Sequence, residues 1–169
     1  TIECWELALK DLNKPSILAL TRQNLNPIRK KFSRTNKCAF GAYEISRTNS
    51  KIKLTILSTG SEVDLAISIS HKLAKYKLYS KVISVPSLEL FKLQSNSYKN
   101  KILNETKFKF SVEAASTDPW KQLIGKNGLC FGLDEFGKSA PYKDIFKYFG
   151  LTCENIVNKI KKKISLYDS

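Results

Sequence analysis

KIKLTILSTGSEVDLAISISHKLAKYKLYSKVISVP, residues 51–86, decides the fold. Its first eight residues, KIKLTILS at 51–58, are apolar enough for a parallel-sheet strand buried on both faces. Thr59-Gly60-Ser61 supplies a turn. Ser61 stands where a helix N-cap is wanted, and Glu62 and Asp64 place negative charge in the first turn that follows. The helix runs to about Tyr76 and buries Val63, Ala66, Ile67, Ile69, Leu73 and Ala74. KVISV at 81–85 is the next strand, closed by Pro86. Strand, helix and strand make a βαβ unit, expected to be right-handed.

Downstream the same alternation continues. Residues 87–93 and 97–103 read as short helices, and KFKFSVE at 107–113 as a third strand. Thr117-Asp118-Pro119 opens another short helix with proline at its first position. Leu129-Cys130-Phe131-Gly132 is a fourth short strand. Ser139 is expected to cap a helix with Pro141 in its first turn. Thr152 is expected to cap the last helix, whose inner face is Ile156, Val157, Ile160 and Ile164. The expected fold from 50 to 165 is an α/β three-layer sandwich on a mainly parallel sheet, with strands near 52–58, 81–85, 108–113 and 129–132.

Upstream, residues 1–14 suggest a helix with Ile2, Trp5, Leu9 and Leu12 on one apolar side, ended by Pro15. Ile17-Leu18-Ala19-Leu20 reads as a short buried strand. The basic, aperiodic stretch 26–49 reads as a linker over a surface, with a short strand possible at Tyr43-Glu44-Ile45. Residues 1–25 are therefore expected to pack poorly on the rest, with first proteolytic cuts between about 25 and 48. The first residue is Thr1 and the chain starts inside a helical pattern, so a piece of a longer chain is expected.

Composition narrows the function classes. With 42% apolar residues a real core is available and global disorder is not expected. No apolar run reaches the roughly 18 residues of a membrane span. A net charge of +14 raises the possibility of a nucleic-acid partner. Against it, only four of the cations are arginines, the usual readers of base edges. The densest runs are Arg29-Lys30-Lys31 and Lys161-Lys162-Lys163, and the other lysines are scattered. Cys4, Cys38, Cys130 and Cys153 form no Cys-x-x-Cys pair, and the single histidine, His71, is far from them in sequence. That pattern lacks zinc-site spacing and fits idle thiols in a reducing cytoplasm.

Among candidate functional residues, Arg22 ends a strand at the edge where open α/β sheets bind ligands. It either forks onto a phosphate or snorkels at the sheet edge. Thr59-Gly60-Ser61-Glu62 joins a strand to a helix N-terminus, as an anion nest would, but lacks either glycine fingerprint of a phosphate loop. Capping is the simpler reading. Glu113 is either a tuned carboxylate or the acceptor of bonds from the following turn. His71 reads as solvated, and Trp5 and Trp120 as core or interface aromatics.

Four blocks, in order, resemble the C-terminal region of transketolases. They are Trp5-Glu6-Leu7-Ala8 with Pro15 and Ala19-Leu20-Thr21-Arg22-Gln23-Asn24-Leu25; Thr59-Gly60-Ser61-Glu62-Val63; Val85-Pro86-Ser87 with Leu90-Phe91 and Gln94; and Val112-Glu113-Ala114 with Trp120 and Phe136-Gly137-Lys138-Ser139-Ala140-Pro141. The resemblance implies that 1–25 is the tail of a pyrimidine-binding domain, 26–49 a linker and 50–165 the transketolase C-terminal domain. It also implies that Arg22 binds the phosphate of a sugar substrate, although Thr21 stands where the family more often has serine. The intact enzyme would use thiamine diphosphate and Mg2+, with their ligands and all catalytic groups in N-terminal domains outside this sequence. Sugar phosphates as substrates, a homodimer, a place in the pentose phosphate pathway and the cytoplasm are further implications. The alternatives are a 2-oxoacid dehydrogenase β subunit, a deoxyxylulose-phosphate synthase, a subunit of a split enzyme, and a basic nucleic-acid module. The Arg22-Gln23-Asn24 and Phe136-Gly137-Lys138-Ser139-Ala140-Pro141 blocks favour transketolase.

Overall fold

The computed structural model describes residues 1–29 and 33–168; Lys30 and Lys31 of the basic run lie outside them. Five strands form one sheet in the order β1-β3-β2-β4-β5. They are β1 (Tyr43–Arg47), β2 (Leu54–Ser58), β3 (Ser80–Ser84), β4 (Phe108–Val112) and β5 (Leu129–Phe131). β2 runs parallel to both β3 and β4, and β4 parallel to β5, while β1 lies antiparallel on the β3 edge. Every residue of β2 and β3 is buried, as befits strands covered on both faces.

Period-two alternation sends side chains of one strand into two different cores. Leu54 and Ile56 of β2, Val82 of β3, and Phe108 and Phe110 of β4 face α2 (Glu62–Ala74) and α7 (Cys153–Asp168). There they meet Ala66, Ile69 and Leu73, and Ile156, Val157, Ile160 and Ile164. Leu57 and Ile83 face the other way, toward α3 (Leu88–Lys92), α4 (Asn96–Leu103) and α5 (Asp118–Ile124), where Phe91, Ile102, Trp120 and Ile124 close the second core. The result is the three-layer α/β sandwich expected from sequence, on a sheet parallel but for its β1 edge.

Caps follow the residue types in part. The Ser87 and Ser95 hydroxyls accept the backbone N–H groups of Leu90 and Tyr98, starting α3 and α4. Thr152 does the same for α7 through Asn155. Ser139 does not cap α6 (Tyr142–Tyr148): Pro141 holds extended backbone at ψ 136°, so the helix begins only after it.

Two readings of the first fifty residues change. β1, expected only as a possible strand of the linker, is a sheet strand, with Tyr43 opposite Ser84 and Arg47 opposite Lys81. A bulge between Glu44 and Ser46 interrupts the pairing, and no period-two signal survives it in the sequence. Ile17-Leu18-Ala19-Leu20 is not a buried strand: Ile17 is 96% exposed, and among the described residues no strand pairs with this segment. A strand needs a neighbour for its backbone groups, and none reaches it.

α1 (Ile2–Lys10) forms as its periodicity demands but buries none of its residues. Ile2, Trp5, Leu9 and Leu12 all stand exposed. The helix is held instead by polar bonds to the short 3-10 turn Lys37–Phe40 and the segment before it. The Glu3 carboxylate accepts the Cys38 N–H at 3.1 Å and pairs with Arg29. Asn36 Nδ2 donates to the Glu3 carbonyl at 2.9 Å and to Glu6 at 2.8 Å. Limited proteolysis is therefore expected to cut first between residues 11 and 28, which carry no helix or strand, and not across 36–48. An initial cut within the 3-10 turn or β1 would contradict this placement. No helix among the described residues is long and apolar enough to cross a membrane.

Candidate functional site

The loops leaving the C-terminal ends of β2 and β4 go to opposite faces of the sheet, β2 into α2 and β4 into α5. A doubly wound sheet opens its ligand crevice between two such strands. Here that mouth is bridged from both sides. Ser58 Oγ donates to the Val112 carbonyl at 2.7 Å. The Glu62 carboxylate, 7% exposed, takes the Ser61 hydroxyl at 2.7 Å on one oxygen and the Ala114 N–H at 3.4 Å on the other. The loop that read as an anion nest thus holds the chain's own carboxylate. Ser61 sits at the N-cap position of α2 but makes no capping bond, because its hydroxyl serves Glu62.

Glu113, the first residue past β4, stands beside Glu62. Its oxygen accepts the indole N–H of Trp120, and its own N–H donates to the Phe131 carbonyl at 3.0 Å. Burial pushes the Glu113 carboxyl above the ordinary range; the Trp120 bond opposes the shift and the Glu62 charge adds to it. The simpler reading expected the donor in the following turn; it comes instead from the Trp120 side chain in α5. Beyond it, Thr117 donates its N–H and its hydroxyl to Asp134, and these bonds hold that carboxyl below its ordinary range. A shallow groove of about 340 Å³ lies alongside, lined in part by Thr117, Lys121, Cys130 and Asp134.

Two adjacent carboxylates with one proton affinity raised are a possible acid–base pair. Here each oxygen with a named partner serves the chain itself, and His71 is exposed on the last turns of α2, at the other end of that helix from Glu62. Glu62 ties the β2 loop to the β4 loop through Ala114, while Glu113 ties the end of β4 to α5 through Trp120. Because the folded-state affinity of Glu113 is raised, its contribution to stability is full below the unfolded value near 4.5 and is lost as pH rises through the folded value. Glu113→Gln keeps an acceptor for Trp120 without the charge. The variant is expected to gain stability relative to the parent between pH 4 and pH 7, measured as urea midpoints at both pH values. An equal difference at the two pH values would rule out the strained carboxylate.

Arg22 lies in an exposed segment with neither helix nor strand. Among the described residues its guanidinium makes no hydrogen bond or ion pair; nearby, the Gln23 N–H donates to Thr21 Oγ1 at 3.3 Å. It is neither joined to the sheet mouth nor snorkelling on a strand edge. Trp120 is a core residue as expected, whereas Trp5 is half exposed on α1.

One ionic cluster has no signature in the sequence. Lys81, 1% exposed in the middle of the sheet, reaches Glu105 at 2.8 Å and the Lys101 carbonyl at 3.3 Å. Arg47 grips Glu105 with two bonds of 2.6 and 2.8 Å and Glu44 with two of 2.8 Å. The Arg47 bonds first, then Lys81, lower the Glu105 carboxyl to about 2. The cluster fastens β1 and β3 to the segment after α4. Lys81 is buried between Ser80 and Val82 of β3, and its charge is offset by Glu105, supplied from 24 residues away, together with the Lys101 carbonyl.

Comparison with known proteins places these elements in a family. Residues 41–152 match the transketolase-like TK C-terminal domain. The transketolase of Sinorhizobium medicae is 37% identical over 158 residues, 93% of this chain, and that of Aquifex aeolicus 38% identical over 161 residues, 94% of it. The chain spans about a quarter of the length of these curated relatives, 23% in each case. A solved Pichia stipitis transketolase, in complex with sedoheptulose-7-phosphate, superposes on 98% of this chain with a TM-score of 0.87 at 32% identity, using 24% of its own length.

Proposed function

Because this chain belongs to the transketolase family, we propose that it acts as the C-terminal part of a thiamine-diphosphate enzyme that moves a two-carbon ketol unit from a ketose phosphate to an aldose phosphate. Residues 1–25 serve as the tail of the pyrimidine-binding domain and 26–49 as the connection. The unit 50–165 is the C-terminal domain, to which β1 adds an edge strand. The observation that carries the reading is the domain match over 41–152, with relatives aligning along 93–94% of the chain.

This reading places the ligands of the metal and the cofactor outside this chain. Among the described residues no group of three or more His, Cys, Asp and Glu side chains is placed to hold a metal ion. Thiamine diphosphate and Mg2+, held by the other three-quarters of the enzyme in this reading, would supply the ketol-transfer chemistry when bound. The role of this chain is positioning. Arg22, without a partner among the described residues, is proposed to fork onto the substrate phosphate and so fix the sugar. A homodimer in the cytoplasm completes the proposal.

The test is a chimaera in which this chain replaces the matching quarter of a complete transketolase. Ketol transfer from xylulose 5-phosphate is expected to persist, while the purified 169-residue chain alone should neither turn over nor bind thiamine diphosphate by calorimetry. A folded chimaera without transfer, or turnover by the chain alone, would refute the assignment.

A further inference from the structure

The junction between α1 and the sheet domain brings two thiols together. Glu3 accepts the Cys38 N–H at 3.1 Å, and Asn36 donates to the Glu3 carbonyl at 2.9 Å. These bonds join positions 35 and 33 residues apart in sequence. Cys4 follows Glu3 on the first turn of α1, and its thiol stands beside that of Cys38. Both cysteines are free. Nothing in the ketol-transfer proposal uses either of them.

We propose that Cys4 and Cys38 are a covalent oxidation site: a reversible disulfide that staples α1 to the turn leading into β1. The two sulfurs differ in a way that orders the chemistry. Cys38 is buried, and burial, then Cys4, then Glu3 push its thiol well above the usual range. Cys4 is half exposed and meets the oxidant first. With a hydroperoxide as oxidant, the Cys4 thiolate attacks the terminal oxygen. An S–O bond forms, the O–O bond breaks, and the expelled hydroxide or alkoxide takes the proton that the Cys4 thiol gave up, leaving as water or an alcohol. Cys38 sulfur then attacks the sulfenic sulfur of Cys4. The S–S bond forms, the S–O bond breaks, and hydroxide departs with the Cys38 proton as water. Two thiols lose two electrons and the peroxide gains them; a dithiol reductant reverses the change.

The staple would convert a junction held by polar bonds into a covalent one, closing a loop that contains the exposed stretch 11–28. The raised proton affinity of Cys38 makes the second step slow at neutral pH and faster at alkaline pH.

The experiment treats the full chain carrying Cys130→Ser and Cys153→Ser with hydrogen peroxide at pH 7 and pH 8.5. Free thiols are counted and non-reduced peptides mapped. The expected result is loss of both remaining thiols, faster at the higher pH, with one Cys4–Cys38 linked peptide and no linked dimer. After proteolysis, the N-terminal fragment should stay attached until dithiothreitol releases it. Adding Cys4→Ser is expected to leave Cys38 reduced under the same treatment. Two free thiols after oxidation, sulfinic acid at Cys4 without the linked peptide, linkage only between chains, or equal oxidation of Cys38 in the Cys4→Ser variant would each overturn the proposal.

Discussion

In the chimaeric transketolase, Arg22→Ala is expected to lower kcat/KM for phosphorylated sugars by about ten- to a hundredfold while leaving the unphosphorylated sugars nearly unchanged. A hydrogen bond to a charged group contributes roughly 1.5–3 kcal/mol, and each 1.4 kcal/mol is about a factor of ten. In the chain as it stands the guanidinium has no competing partner among the described residues, so no internal ion pair has to break before a phosphate binds. The loss is expected mainly in KM. The phosphate lies at the far end of the sugar from the bond being cleaved, and a grip equal in ground and transition states shows itself as binding. Arg22→Lys should recover only part, because an ammonium cannot reproduce the planar fork. Steady-state kinetics with fructose 6-phosphate and with fructose decide the matter. Equal losses on both would make Arg22 a structural residue.

Trp120 is expected to give the largest loss of stability of any single side chain at the sheet mouth. It is 1% exposed, packs in the core with Ile83, Phe91 and Ile124, and donates its indole N–H to Glu113. Trp120→Ala empties that space and is expected to cost about 3–5 kcal/mol. Trp120→Phe retains most of the apolar area but strands a half-buried carboxylate whose charge burial already disfavours. Its cost should be roughly 1–3 kcal/mol. Combining Trp120→Phe with Glu113→Gln should recover part of that loss, since a neutral amide is less costly to leave unpaired there. Urea denaturation of the four proteins at pH 7 measures each value. A Trp120→Phe variant as stable as the parent would mean that the indole bond contributes nothing and that water reaches Glu113.

The sheet domain was legible residue by residue. KIKLTILS announces a strand covered on both faces because it is rich in apolar residues, KVISV and KFKFSVE read as further strands, and all three segments appear in the sheet. Ile156, Val157, Ile160 and Ile164 announce the inner face of α7 because a 3.6-residue period admits one face only, and all four are buried. Membership in the transketolase family was legible too, from blocks spread over the length of the chain. Arg22 was singled out by one of those blocks together with its expected place at a strand end. The strand is not formed, so the block alone now motivates its role.

Only the tertiary structure decided the rest, and the reason is the same in each case. β1 carries a bulge and half-exposed residues, so its strand character comes from β3 and from the Arg47–Glu105 fork, not from its own pattern. Ile17-Leu18-Ala19-Leu20 has strand composition but no strand to pair with among the described residues, so composition alone did not suffice. Lys81 with Glu105, Glu62 with Glu113, and Cys4 with Cys38 are pairs whose members lie far apart in the chain. Local patterning reports how a residue relates to its neighbours within a turn or two of chain. What a charge or a thiol does depends on which distant group the packing sets against it, and that is settled only when the layers close.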